Sequence, residues 1–170
     1  VTNTLKRDGV PSIINPDDKT AIEAALQLKE KCGATVTVIT MGPPQAEAVL
    51  REAFAMGADR AILLTSRKFA GADTLATSNA LAGALRVLDY DLILAGRQAI
   101  DGDTAQVGPQ IAEHLGIAQV SYLEDLEFDG KKTFRIKKQL EDGYQIVEVE
   151  SPCLLTCLAS AVKPRYMSVK

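Results

Sequence analysis

The chain has 170 residues, of which 46% are hydrophobic and 24% charged, and its formal net charge is −3. That length suits one domain with a sizeable core, and scattered Lys and Arg on a slightly acidic chain argue against nucleic acid or an anionic membrane held by bulk charge. No apolar run reaches the length of a bilayer span and no signal-peptide pattern opens the sequence, so the expectation is no membrane insertion and a cytoplasmic location.

In chain order, Asn15-Pro16-Asp17-Asp18 predicts a helix start: Asn is a good N-cap, Pro suits the first helical position, and acids favour the positive end of the helix dipole. The helix runs to a stop at Gly33. The β-branched run 35–40 predicts a strand, and Met41-Gly42-Pro43-Pro44 a turn. A second helix carries Ala46, Val49, Leu50, Ala53 and Phe54 on one face and ends near Gly57. Residues 60–64 form the next strand, followed by an alanine-rich helix from about Asp73 to Val87. The continuous apolar run 90–96 predicts a strand buried on both faces. A helix ending at Gly116 and a strand over 117–122 follow.

Strict alternation of strand and helix predicts an α/β fold with a doubly wound, mostly parallel sheet. Asp129-Gly130 and Asp142-Gly143 are hairpin signals between strand-like runs, so residues beyond 122 are expected to form an antiparallel extension of a single domain spanning 1–170. Such a sheet normally starts with a strand, whereas here a helix comes first; a first strand is expected to precede Val1.

Cys32, Cys153 and Cys157 make no disulfide framework, and with a single histidine they offer no metal set; Cys153 and Cys157 are expected to be structural. His114 is expected on the solvent side of its helix, with no catalytic partner.

Ligands of open α/β sheets bind beyond the carboxyl ends of the strands. Three loops have that position: 40–43, 70–78 and 96–108. Each is small and polar, with glycine to let backbone N–H groups approach a ligand and a helix N-terminus behind it that favours an anion. Taken singly, each is also what capping and turn chemistry would choose. Three on one sheet edge favour an adenine-nucleotide site. Neither a P-loop nor a G-x-G-x-x-G fingerprint is present.

The segments "RDGVPSIINPDD", "VTVITMGPPQAEAVLREAFAMGADRAILL", "DLILAGRQAIDGDTAQVGPQIAEHLG" and "KPRY" together resemble the β subunit of electron-transfer flavoproteins over nearly the whole chain. The resemblance implies an adenine-nucleotide fold like that of universal stress proteins, a heterodimer with a larger α subunit, and electron transfer between an acyl-CoA dehydrogenase-type or other flavin dehydrogenase and an acceptor. It implies nucleotide contacts at Asn15, Pro16, Asp17 and Asp18, at Met41, and along Gly96, Arg97, Gln98, Ala99, Ile100, Asp101, Gly102, Asp103, Thr104, Ala105, Gln106 and Val107. "ADTLAT" resembles a run in the electron-bifurcating group, which adds Asp73, Thr74 and Thr77 and favours FAD over AMP in this site. The family's partner-recognition loop would fall on Leu158, Ala159, Ala161, Pro164, Arg165 and Tyr166. The redox work would be done by bound flavin, so no catalytic side chain is expected. A stand-alone nucleotide-binding module of the universal-stress type is the alternative.

Overall fold

The computed structural model describes residues 12–168. The expectations for a strand before Val1 and for the opening residues lie outside that span. Four helices, α1 (Pro16–Cys32), α2 (Glu47–Met56), α3 (Thr74–Leu85) and α4 (Val107–Leu115), are interleaved with β1 (Thr37–Met41), β2 (Arg60–Leu64) and β3 (Leu92–Gly96). Then β4 (Ala118–Phe128), β5 (Thr133–Leu140), β6 (Gly143–Glu150) and β7 (Cys153–Cys157) follow without a helix between them.

The expected doubly wound, mostly parallel sheet with an antiparallel extension is met only in part by the described residues. They form a parallel pair, β1-β2, and a separate five-stranded sheet of order β3-β7-β4-β5-β6. In the larger sheet β7 runs parallel to both β3 and β4, while β4, β5 and β6 form an antiparallel meander. The fold is α/β with a mixed sheet. Both Asp-Gly signals fall at the meander's turns; at the first, the Asp129 carboxylate accepts from the backbone N–H of Lys131, Lys132 and Thr133, and those bonds hold it below the ordinary aspartate value.

The strand β7 is the element that the sequence reading lacks. It returns from the meander to the middle of the sheet, so both of its faces are covered and Cys153, Leu154, Leu155 and Cys157 are fully buried. Burying Leu154 and Leu155 contributes about 2 kcal/mol each. Burial lifts the thiol of Cys153 to about 11 and, with the charges of Asp18 and Asp17 beside it, that of Cys157 to about 12, which fits core thiols. By contrast β3 is only partly buried at each residue, because no strand pairs its second edge among the described residues. His114 is also not solvent-side: α4 packs on α3, and its Nε2 lies 3.3 Å from Ser78 Oγ, a fully buried hydroxyl.

The helices cover these strands through three clusters. The side of α1 bearing Ile22 and Leu26 packs with Val36, Ala53 and Met56 around β1 and α2. Ala21 of the same helix meets the β4-β5-β7 core. On the other side Leu85 of α3 and Ile111 of α4 meet Leu154 of β7. How α4 nests is set by Gly108, where a Cβ would lie 2.7 Å from Thr156 Cγ2, and Thr156 is buried with nowhere to move. Gly108→Ala should therefore destabilise the protein by about 2 kcal/mol. Thr156→Ser, which removes that methyl and keeps the hydroxyl accepting from Tyr122 N–H, should recover most of the loss in urea denaturation; no recovery would mean that α4 is seated by other contacts.

Candidate functional site

At the carboxyl end of β3 the chain leaves the sheet at Gly96 and takes an exposed path to α4. The start of α1 lies directly against it. A Cβ on Gly96 would fall 2.6 Å from Asp18 N and 2.8 Å from Asp17 Cβ, so only glycine lets the strand end and the helix start approach this closely. Gly96 N–H donates to Asp18 Oδ1 at 2.6 Å.

Asn15 stands at the N-cap position, but its side chain makes no cap bond. Its amide reaches instead across to the loop, donating to Gln98 O at 2.8 Å and accepting from Ile100 N–H at 3.1 Å. It also donates to Asp18 Oδ2 at 3.0 Å. Burial pushes the Asp18 carboxyl up, opposed by the bonds from Gly96 and Asn15, and the neighbouring Asp17 adds to the rise. Asp17 is itself buried; its Oδ2 lies 3.6 Å from Arg97 Nε, near enough for ionic attraction but too long for a hydrogen bond, and both atoms are otherwise unpartnered.

Beyond Ile100 the loop bends back. Asp103 N–H donates to Ala99 O, and Gln98 Nε2 donates to Asp103 Oδ1. Asp103 and Ala105 both hold positive φ, 49° and 53°, a conformation non-glycine residues adopt at a cost. Asp103 is thus tied to Gln98 and does not cap α4. The N-cap of α4 is Gln106, without a side-chain cap bond, so the helix presents open backbone N–H groups next to exposed Asp101, Gly102 and Thr104. Around Gly102 no atom lies within 4 Å of where a Cβ would be.

A second join links this loop to α3. Asp73 caps that helix, accepting from Ala76 N–H at 2.8 Å, and Thr74 Oγ1 bonds Gln106 Oε1 at 3.0 Å. Thr77 is half-buried in the first turn. The structure therefore brings together residues 15–18 with 96–100, and 73–74 with 106. Met41 closes β1, half-buried, and no hydrogen bond ties it to these loops. A separate open cleft of about 560 Å³, lined by Arg86, Asp89, Tyr90, Asp91 and Pro152, sits at the amino ends of β3 and β7. Parallel α/β sheets bind ligands at the opposite, carboxyl ends, so the loop cluster is the better candidate.

The segment after β7 is used inside the chain. Leu158 is buried at 9% exposure, and Pro164 and Ala161 are half-buried. Arg165 is taken up by α1: its Nε and Nη2 donate to Glu23, its backbone N–H donates to Glu23, and its Nη1 donates to Glu30 at 2.6 Å. Ala159 and Tyr166 remain exposed. Glu23 and Glu30 were not singled out from the sequence, although two acids seven apart on one helix share a face and could have been read as a receptor for a basic tail.

A family model described as the electron transfer flavoprotein domain matches residues 2–170. The chain is 64% identical to an electron transfer flavoprotein subunit beta of Clostridium acetobutylicum, which covers 100% of this chain and 65% of that protein. It is 58% identical to CarD, a subunit of the caffeyl-CoA reductase-Etf complex of Acetobacterium woodii, over 99% of this chain and 64% of the other. Protein FixA of Azotobacter vinelandii is 50% identical, over 98% and 61%. The chain thus spans less than two thirds of the length of these curated relatives.

Proposed function

The chain belongs to the electron transfer flavoprotein family, and from that premise we propose that it is the nucleotide-binding part of a β subunit that carries electrons within a heterodimer. In this reading residues 15–18, Met41, 73–77 and 96–107 surround FAD, with AMP as the alternative occupant. The observation that carries it is the 96–107 loop, anchored at one end by α1 and at the other by Thr74, with the uncapped start of α4 behind it. Backbone N–H groups at a helix start suit a phosphate, and the hydroxyl of Thr104 and the guanidinium of Arg97 add donors. The acids do not spoil this: Asp103 is engaged by Gln98, and Asp18 by Gly96 and Asn15.

Bound FAD would supply the one-electron and hydride chemistry. The protein's residues bind the adenylate, fix its phosphates and shield its surroundings. The partner would be an α subunit, with an acyl-CoA dehydrogenase-type or other flavin dehydrogenase as donor; similarity to a subunit of a caffeyl-CoA reductase-Etf complex supports an assignment to the bifurcating group. No helix among the described residues is long and apolar enough to cross a membrane; a cytoplasmic location is part of the proposal. Among the described residues β1 and β3 each have an unpaired edge, and α1 packs against β3; one further parallel strand between them, as in the universal-stress-type fold, is part of this reading.

Co-expression of the full-length protein with its α subunit, followed by extraction of the bound nucleotides, tests the assignment. Two FAD per heterodimer are expected. One FAD and one AMP would replace FAD by AMP in this site, and neither flavin nor AMP would overturn the reading.

A further inference from the structure

Along β4 the core-facing positions are unevenly spaced. Val120 and Leu123 are both buried and both join the core around β7. A strand alternates its faces, so the residue that follows Val120 on that face would be Tyr122. The register shows why it is not: Val120 pairs with Leu155 and Leu123 with Cys157, three residues along β4 against two along β7. The extra residue makes a β-bulge, and Tyr122 within it holds φ at 64°. A bulky side chain adopts that backbone only at a cost, which glycine or asparagine would avoid. The cost turns a tyrosine out of the core, to 40% exposure, and seats Leu123 there instead. The bulge stands at the carboxyl end of the sheet, where Leu123, Cys157 and Gly96 form one row across β4, β7 and β3. Tyr122 N–H donates to Thr156 Oγ1 at 3.3 Å, and the methyl of that threonine packs against Gly108 in the first turn of α4. Leu158 N–H donates to Leu123 O at 3.3 Å, which brings the exposed Ala159 and Ser160 beside the bulge.

We propose that Tyr122 is an anchor for a transient redox partner, a flavin dehydrogenase that docks over the carboxyl ends of β4 and β7. This rests on the reading of the chain as part of an electron carrier. Two features select that occupant. A redox partner must dock within reach of the carrier's cofactors, and the bulge adjoins the helix start proposed to hold one of them. A permanent subunit interface needs an extended apolar area, whereas one aromatic side chain beside Ser121, Ala159 and Ser160 suits a small, short-lived contact. Tyrosine offers a large contact with few rotatable bonds, and the bulge fixes the root of the ring before the partner arrives, so docking has less of the chain to order.

The test uses the full-length heterodimer, with a short-chain acyl-CoA dehydrogenase reduced by its acyl-CoA as the probe. Tyr122→Asn and Tyr122→Gly suit the backbone of the bulge and remove the ring, while Tyr122→Phe keeps it. The KM for the dehydrogenase should rise roughly tenfold in the two variants without the ring and stay within roughly twofold in Tyr122→Phe, as for loss of an interface anchor. Their kcat, bound nucleotide, pairing with the α subunit and urea midpoint should match those of the parent. An unchanged KM would overturn the proposal. Weaker pairing with the α subunit would also overturn it, placing Tyr122 in the permanent interface, and lost nucleotide would place it on the ligand. A lower urea midpoint in both variants without the ring would make Tyr122 a structural residue only. A parent heterodimer that takes no electrons from the dehydrogenase would count against the electron-carrier reading itself, a failure seen before any variant is made.

Discussion

Gly96→Ala is expected to destabilise the protein by about 3 kcal/mol, combining overpacking with loss of the Gly96–Asp18 bond. The new methyl would lie 2.6 Å from Asp18 N and 2.7 Å from Asp18 Oδ1. The nearest obstacle is backbone at the start of a helix, which cannot rotate away as a side-chain tip could. Either α1 retreats from the end of β3 or the strand end shifts, and each disrupts the approach of residues 15–18 to the loop. The thermal midpoint of a chain this size should fall by roughly 10 °C. Gly102→Ala is the contrast: open space surrounds that position, so its stability should stay within about 0.5 kcal/mol of the parent. Equal midpoints for Gly96→Ala and the parent would show that the close packing of α1 on β3 is absent in solution.

Arg165→Ala has an expected cost of about 2 kcal/mol, below the full value for a buried pair because the guanidinium is partly exposed. It strands Glu23, whose side chain is only 5% exposed, and releases the segment that runs on to a backbone bond between Ser168 and Ala55 at the end of α2. Burial alone would raise the Glu23 carboxyl, but the bonds and charge of Arg165 outweigh it and hold it below the ordinary 4.5. The stability from this pair is therefore present above about pH 4.5 and is lost as the pH falls through the lower folded value. Arg165→Ala should flatten that acid limb in urea titrations taken at successive pH values. Glu23→Gln in the same background should return part of the loss, since a neutral amide is cheaper to leave buried than a carboxylate. An unchanged acid limb would mean that the pair contributes nothing in solution.

The contrast between these two sites shows which interactions the sequence could announce. Helices α1 to α4 and strands β1 and β2 follow from local pattern: caps, glycine stops and short β-branched runs lie within a few residues of what they determine. The hairpin turns at Asp129 and Asp142 are equally local. The strand β7 was hidden because a strand covered on both faces has no alternation, and its five residues between Pro152 and Leu158 read as a generic apolar run with two cysteines. Asn15 shows the limit from the other side. Its neighbours Pro16, Asp17 and Asp18 make a good capping pattern, yet its amide is spent on Gln98 and Ile100, more than eighty residues away. Local rules cannot weigh such partners. The same holds for Glu23 and Arg165, 142 residues apart, and for the contact of His114 with Ser78. The loops at 73–77 and 96–107 were expected from composition and position to form a ligand-binding edge, but the bonds that fix them could not be read in the same way.

The central claim is that an adenine nucleotide lies among residues 15–18, Met41, 73–77 and 96–107. Photolabelling of the full-length heterodimer with an azido-adenosine monophosphate, followed by peptide mapping, tests it most directly. The account predicts label on peptides containing these residues, abolished by excess AMP or FAD. Label confined to the opposite end of the sheet, around Arg86, Tyr90 and Asp91, or label that neither nucleotide displaces, would contradict it.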